Sequence, residues 1–388
     1  MFGRTKVSNS FTMFDSTHRY SSDVDKKYSD LTANGGTVTY NVNQSSDLLN
    51  VTTTAGSSVS RESKRVFLYQ PGKALQVLQS FVMAPAKTNL RQRVGYFSRT
   101  NGFFLEQVNN EVYFVIRSFA SGQIVETRVA QSDWNMDALD GMGYSDRVLD
   151  LTKSQILWSE YEWLGVGSVR VGFVIDGVFV ACHQFNHANH IQGVYMQTAK
   201  LPVRYEIENI GTTASASSLQ QICTTVMING GYENRPTPHT DIFSSGSNVS
   251  VGTDWVVLSA IRLHPNRMDA IVLPGPLEII PTAAGVFEYQ YIENATLVGG
   301  TWVDHSSGTV QLNKTITSLT GGRLLRTGII NSSNQGANNI ELEGLDRFVN
   351  QLGRTNSNTP VSDTYALRIR TLSGNSSVNG SFTWYDLT

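Results

Sequence analysis

"NGFFLEQVNNEVYFVIRS", residues 101–118, decides how this chain is read. Two aromatic-rich runs flank Asn109-Asn110, and Asn tolerates the positive φ that a tight type I′ turn requires. The runs then fold back as a hairpin that sets Leu105 opposite Phe114 and Phe103 opposite Ile116. One face carries Phe103, Leu105, Val112, Phe114 and Ile116, which is a core face. The other carries Phe104, Glu106, Glu111, Tyr113 and Val115, a mixed face expected to be partly covered. Successive residues of a strand point to opposite sides, so the two-residue period specifies both faces at once.

The pattern recurs outward from there. "VRVGFVIDGVFVACHQF", residues 169–185, is a second hairpin in which Asp176-Gly177 supplies the turn and Ile175 pairs with Val178. Its inward face is Val169, Val171, Phe173, Ile175, Val178, Val180 and Cys182, so Cys182 is expected to be buried and inert. Short runs such as "VFLYQ", "ALQVLQSFVM", "RQRVGYF" and "QIVETRV" arrive in quick succession between turn residues. Spacing of that kind indicates sandwiches or barrels.

The 388 residues have room for two domains. The reading is mainly β: two β-sandwich domains, jelly-roll or lectin-like, with one short helix near 344–353, where Leu345, Phe348, Val349 and Leu352 fall at helical spacing. Residues 1–60 read as a polar N-terminal arm with the first strands, 61–215 as one sandwich, 216–240 as a linker and 241–388 as the second sandwich. The boundary follows the abrupt change at "GTTASASSL" and "NGGYENRPTPHT", although "QQICTTVMI" has strand character that fits the first sheet.

Composition narrows the function. Hydrophobic residues make up 40% and charged residues only 16%, against about 25% charged in an ordinary soluble domain. Ser, Thr, Asn, Gln and 33 glycines supply the polarity instead, which suits turns and wet sheet faces. A net charge of −2 lacks the basic footprint of a nucleic-acid binder. No apolar run reaches the roughly 18 residues of a membrane span, and the opening residues lack a signal peptide's apolar stretch. With two cysteines, Cys182 and Cys223, no disulfide framework is expected.

Three constellations can carry chemistry. His183, His187 and His190 in "CHQFNHANH" are imidazoles of the kind zinc takes, and hydrogen-bonded or solvent-facing histidines are the competing reading. Asp133, Asn135, Asp137 and Asp140 in "SDWNMDALDG" alternate as in oxygen-coordinating calcium loops. An EF-hand is excluded, because Ala138 and Tyr144 occupy the positions that need Gly and a bidentate acid. Trp158, Tyr161 and Trp163 stand beside Glu160 and Glu162 in "WSEYEWLG", where aromatics and acids together can stack on and hydrogen-bond a sugar, or simply pack a half-exposed strand. No nucleophile elbow, phosphate-binding loop, dinucleotide fingerprint or zinc-protease motif occurs. The expectation is a protein that is not an enzyme and needs no cofactor.

The phrases "VLQSFVMAPAKTNLRQRVGYFSRTNGFFLEQVNNEVYFVIRS", "VAQSDWNMDALDG", "LTKSQILWSEYEWLGVGSVRVGFVIDGVFV" and "YMQTAKLPVRYEIEN" resemble virion structural proteins of tailed phages, notably myoviruses of cyanobacteria and other aquatic bacteria. The likeness spans about residues 60–240 and continues more weakly beyond. It implies a structural component of a virion, in capsid, neck, tail or fibre, acting through packing against copies of itself and other virion proteins. The alternative is a carbohydrate-binding host-attachment protein, a fibre or adhesin that adds host surface glycans to the partners. In that case Trp158, Tyr161, Trp163, His183, His187 and His190 are the contact residues, with calcium at Asp133–Asp140 as an organiser.

Overall fold

The structure is a computed structural model, and it describes residues 9–22, 27–233, 235–243, 247–332, 338–340 and 350–387. Among them nearly every regular element is an antiparallel strand, apart from the 3₁₀ turn Gln131–Asp133. No helix in the described residues is long and apolar enough to cross a membrane. The chain divides into two compact units, Met1–Glu233 with Thr355–Thr359, and Asn234–Arg354 with Pro360–Thr388. Each is a β-sandwich.

In the first unit an eight-stranded sheet runs in the order Val178–Phe185, Val169–Ile175, Gln155–Tyr161, Ala74–Val82, Ser217–Asn229, Ser46–Val51, Thr37–Asn41, and Phe11–Thr17 also pairs with Ser217–Asn229. A seven-stranded sheet faces it in the order Val125–Ala130, Glu111–Ser118, Gly102–Val108, Leu90–Phe97, Val203–Asn209, Ser58–Ser63, Tyr28–Ala33. Rings meet across the two. Tyr161 of the first sheet lies 5.4 Å from Tyr96 and 5.1 Å from Phe103 of the second, and Phe173 lies 6.3 Å from Phe114.

Both hairpins have the register that their turns dictate. Phe103 pairs with Ile116 and Leu105 with Phe114, around Asn109 at φ 54°. Ile175 pairs with Val178 around Asp176 at φ 52° and Gly177 at φ 77°. A bulge between Val171 and Gly172 then shifts the register, and only glycine allows it: a Cβ on Gly172 would sit 2.0 Å from the Val180 carbonyl oxygen. Val169, Val171, Phe173, Val180 and Cys182 are buried, whereas at the hairpin tip Ile175 is half-buried and Val178 is exposed. Burial pushes the Cys182 thiol up, which keeps it protonated and unreactive.

Two boundary expectations are corrected. The segment 217–229, expected inside a linker, is a thirteen-residue strand in the middle of the larger sheet. Leu219 and Gln221 point inward, a bulge before Cys223 flips the phase, and Thr224, Val226 and Ile228 then point inward. That flip conceals the alternation from a simple two-residue count. The polar arm is likewise part of the sandwich through Phe11–Thr17, Tyr28–Ala33, Thr37–Asn41 and Ser46–Val51, with Met13, Phe14 and Tyr28 buried and Phe14 packed 5.2 Å from Phe67.

The second unit packs a sheet ordered Thr237–Ile242, Ser376–Asp386, Val272–Pro281, Asn338–Ile340, with Val249–Val251 also on Ser376–Asp386. Its partner sheet runs Val303–Asp304, Val310–Asn313, Val256–Leu263, Thr364–Thr371, Gly285–Glu293, Arg323–Ser332. Trp384, Phe382, Tyr291, Tyr365, Leu367 and Ile369 belong to the core between them. The helix expected over 344–353 falls mostly outside the described residues. Within them, Leu352 is buried and its N–H donates to the Val272 carbonyl.

Candidate functional site

The aromatics nominated by the sequence are spent inside the first unit. Tyr161 is fully buried, and its hydroxyl donates to the Ala199 carbonyl at 2.8 Å. Trp158, on the opposite face of the same strand, is buried edge-on against Phe179 at 5.5 Å. Trp163 is half-buried, packs at 6.2 Å against Tyr69, and donates its Nε1–H to the Met196 carbonyl at 3.1 Å.

The histidines divide among separate tasks. His187 lies flat on Tyr195, centroids 4.0 Å apart, and its Nδ1–H donates to the Gly167 carbonyl at 2.6 Å. Burial holds its pKa below the ordinary value. Tyr195 in turn donates to the Glu162 carbonyl, so His187, Tyr195 and Trp163 together fasten the loop after 161 to the loop after 186. His183 instead accepts the Asn135 backbone N–H on Nδ1 at 3.2 Å, a bond that requires a neutral ring, and burial lowers its pKa to about 4. His190 is exposed. The structure therefore does not bring the three imidazoles together as a ligand set.

The acidic loop is an edge guard. Val178–Phe185 is the outermost strand of its sheet, and an unprotected edge is a template for wrong pairing. The Asn135 amide donates to the Gln184 carbonyl and accepts the Gln184 N–H, both at 2.9 Å, as another strand would. Both Asp137 carboxylate oxygens accept backbone N–H groups, from Leu139 and Ser145 at 2.9 Å. Asp140 accepts the Met142 N–H at 2.9 Å, and Asp133 is exposed. Asx-turn bonding consumes the oxygens that a calcium cage would need. Among the described residues no group of three or more His, Cys, Asp or Glu is placed to hold a metal ion.

The most unusual assembly is one that the sequence reading missed. On the outer face of the seven-stranded sheet, charges of alternating sign cross six adjacent strands in one continuous chain: Glu62, Arg204, Glu206, Arg93, Glu106, Arg128, Glu126, Arg117. Sheet register causes it, because Arg204 pairs with Glu62, Arg93 with both Glu206 and Glu106, and Arg117 with Glu126 as direct cross-strand partners. Arg204 reaches Glu62 at 2.8 Å and Glu206 at 2.6 Å. Arg93 reaches Glu206 at 2.9 Å and Glu106 at 2.6 Å. Arg128 joins Glu106 at 3.2 Å to Glu126 at 2.7 Å, and Arg117 meets Glu126 at 2.7 Å.

The guanidinium planes also cover aromatic faces. Arg93 and Arg117 lie 5.2 and 5.0 Å from the Phe104 centroid, and Arg204 lies 5.3 Å from Phe97. This explains why Phe104 and Glu106, expected on a partly covered face, are buried. Thr355–Thr359 belongs to this unit and lies over one end of the chain of charges. The Ser357 N–H donates to Glu62 at 2.7 Å, and the Asn356 amide donates to Ser60.

Electrostatics then decide what this face can do. Burial alone would push the Glu206 carboxyl up, but Arg204, Arg93 and Arg117 outweigh it and hold the group far below the usual carboxylate range. Glu126 behaves in the same way, with burial overcome chiefly by Arg117. Burial likewise works against the Arg93 charge, yet Glu206 and Glu106 raise its pKa above the ordinary value. Glycoside cleavage needs a carboxyl raised enough to donate a proton near neutral pH. Glu206 and Glu126 are poised in the opposite sense.

No protein-family model matches the chain, and no curated protein matches it. Among solved structures, 60% of the chain is similar to 92% of a protein of unknown function from Shewanella oneidensis MR-1, at 13% identity and a TM-score of 0.38. The Emp47p carbohydrate recognition domain is matched over 59% of this chain and all of that one, at 12% identity and a TM-score of 0.37. A glycoside hydrolase family 16 endo-glucanase from Bacteroides ovatus is matched over 55% of this chain and 99% of its own, at 9% identity and a TM-score of 0.37.

Proposed function

We propose that this chain is a non-enzymatic structural component of a tailed-phage virion, acting through packing against copies of itself and other virion proteins. The observation that carries the non-catalytic part is the charge layer, whose acids and guanidiniums are mutually neutralised and closed over aromatic rings. The likeness of residues 60–240 to virion proteins supplies the setting. A particle protein has to persist outside a cell, where resistance to unfolding is governed by rate, and deeply packed sheets slow that rate. Mass spectrometry of purified particles tests the proposal: the protein is expected at a fixed stoichiometry to the major capsid protein. Its absence from particles, or turnover of a glycan by the purified chain, overturns it.

A second reading, the carbohydrate-binding attachment protein, is favoured by one different observation. It does not use the buried aromatics or the histidines. It uses an open surface cleft of about 480 Å³ at one end of the first sandwich, lined by residues that include Val51, Val82, Met83 and Lys87.

A further inference from the structure

The seven-stranded sheet ends at Val125–Ala130, and this edge is left open. The larger sheet is treated differently at Val178–Phe185, where Asn135 bonds to Gln184 in place of a further strand. The phase of the ladder says which groups are open. The two-residue turn at Asn109-Asn110 makes Val108 and Glu111 a hydrogen-bonded pair, and the Asn109 N–H reaches back to the Leu90 carbonyl, as that phase requires. Counting outward, Val125, Thr127 and Val129 turn their backbone groups toward Glu111–Ser118, and Glu126 and Arg128 turn theirs away from the sheet. Among the described residues no loop or strand bonds to those outward N–H and C=O groups.

The side chains along this edge complement themselves. Glu126 and Arg128 share the charged outer face and stand on either side of Thr127. An antiparallel copy related by a two-fold axis at Thr127 sets Glu126 opposite Arg128 of the copy. Both positions face outward, so each such pair exchanges two backbone bonds, and symmetry doubles them. Sliding the copy by two residues would bring Glu126 onto Glu126 or Arg128 onto Arg128, so charge selects one register. On the other face that register sets Val125 against Val129 of the copy, and Val125 is 51% exposed in the single chain. Ile124, 48% exposed, falls opposite Ala130. Arg128 is 41% exposed where it bonds Glu106 and Glu126, so the copy continues the alternating charge layer across the junction. Charge on an edge ordinarily keeps strands apart. It does so where like signs meet, and here opposite signs flank one central residue. A strand of an unrelated protein would need this spacing in reverse, whereas a second copy has it by symmetry.

We infer that Val125–Ala130 is a homodimer edge, pairing antiparallel with the same strand of a second copy about Thr127 and joining two seven-stranded sheets into one. The inference rests on the reading of a chain that packs against copies of itself, and it names the surface. The test is sedimentation velocity of the full chain over a concentration series, with oxidative crosslinking of Thr127→Cys and Thr54→Cys. Thr127 is exposed, and residues opposed outside the bonded pairs have Cα atoms about 4.5 Å apart, within disulfide range. Thr54 is exposed in the turn before Ser58–Ser63, near the other end of the sheet, and serves as the control. The parent is expected to dimerise, and Thr127→Cys to crosslink at least fivefold more than Thr54→Cys. Arg128→Pro removes an outward N–H and one charge but spares the bonds to Glu111–Ser118, and is expected to weaken the dimer at least tenfold. The crosslinking arm decides the outcome even where that variant fails to fold.

A parent that stays monomeric at every concentration would overturn the inference. So would a dimer that Thr127→Cys crosslinks no better than Thr54→Cys, which places the contact on another surface while the virion reading stands. Absence of the chain from purified particles would remove the virion reading instead, and a crosslink specific to Thr127 would still establish the edge.

Discussion

The two sandwiches use arginine on their outer faces in opposite ways. In the first unit the guanidiniums of Arg93 and Arg204 are buried and each bridges two carboxylates. In the second, Arg368 and Arg370 lie 4.4 and 4.6 Å from the Trp255 centroid and each meets one acceptor, Gln290 or Glu288, with side chains still partly exposed. Arg262 over Trp302 at 4.3 Å repeats that arrangement. The chemistry is alike, but the cost of disruption differs. Removing one partner of a buried pair leaves a charge out of water with no compensation, at about 3–5 kcal/mol. An exposed pair is worth about 0–1 kcal/mol, because water replaces the partner.

Breaking the contrast is therefore the most informative experiment, and the largest effect belongs to the first unit. Arg93→Ala exposes Glu106 and Glu206 to each other and is expected to destabilise by about 3–5 kcal/mol in chemical denaturation. Arg93→Met, which fills the space without the charge, should be no better.

Acid comes next. His183 has a folded pKa of about 4 against an ordinary 6.5, so the unfolded chain takes up its proton first. Its contribution is intact above pH 6.5 and is lost as pH falls toward 4, a loss on the order of 2–3 kcal/mol. Glu206 is also depressed in the folded state, so its stabilisation is present above the ordinary carboxylate value of 4.5 and is lost only below it. Melting temperatures between pH 7 and 3 should fall in two stages, and His183→Asn should flatten the upper one alone.

Tyr161→Phe removes the hydroxyl that serves Ala199 and is expected to cost about 1–2 kcal/mol. It should leave any glycan binding untouched, since the ring is internal. Calcium should do less still. Adding it in millimolar amounts is expected to shift the melting temperature by less than about 1 °C, because Asp137 is already spent on backbone N–H groups. The smallest effect is expected in the second unit, where Arg370→Ala should cost about 1 kcal/mol or less.

These contrasts also show what the sequence could carry. The hairpins at 102–118 and 169–185 were legible because one turn fixes their register: Asn109 and Asp176-Gly177 accept positive φ, and the faces follow by alternation. The strand at 217–229 was obscured by a bulge that changes the phase of its inward residues. The charge layer was harder to find. "RQRV", "VETR" and "VRYEIE" place Arg or Glu two residues apart, and "SRES" and "FLEQ" each carry a single Glu beside an uncharged polar neighbour, all of which reads as an ordinary wet face. Only pairing between segments as distant as 62, 93, 106, 126 and 204 sets opposite signs side by side, and no local window contains that register. The candidate ligand residues misled for a related reason. Tyr161, His183 and His187 have the residue types of a sugar site, but their partners come from the 131–149, 162–168 and 186–201 loops, and Trp158 is covered by Phe179 of the neighbouring hairpin.

The account turns on the layer being one mutually compensated structure. A double-mutant cycle between Arg93 and Glu106, read by chemical denaturation of Arg93→Ala, Glu106→Ala and the pair, measures this directly. A coupling of about 2 kcal/mol or more, with the double variant less damaged than the two single losses together, is the expected result. Additivity within about 0.5 kcal/mol would mean that the two charges do not sustain each other, and would contradict the account.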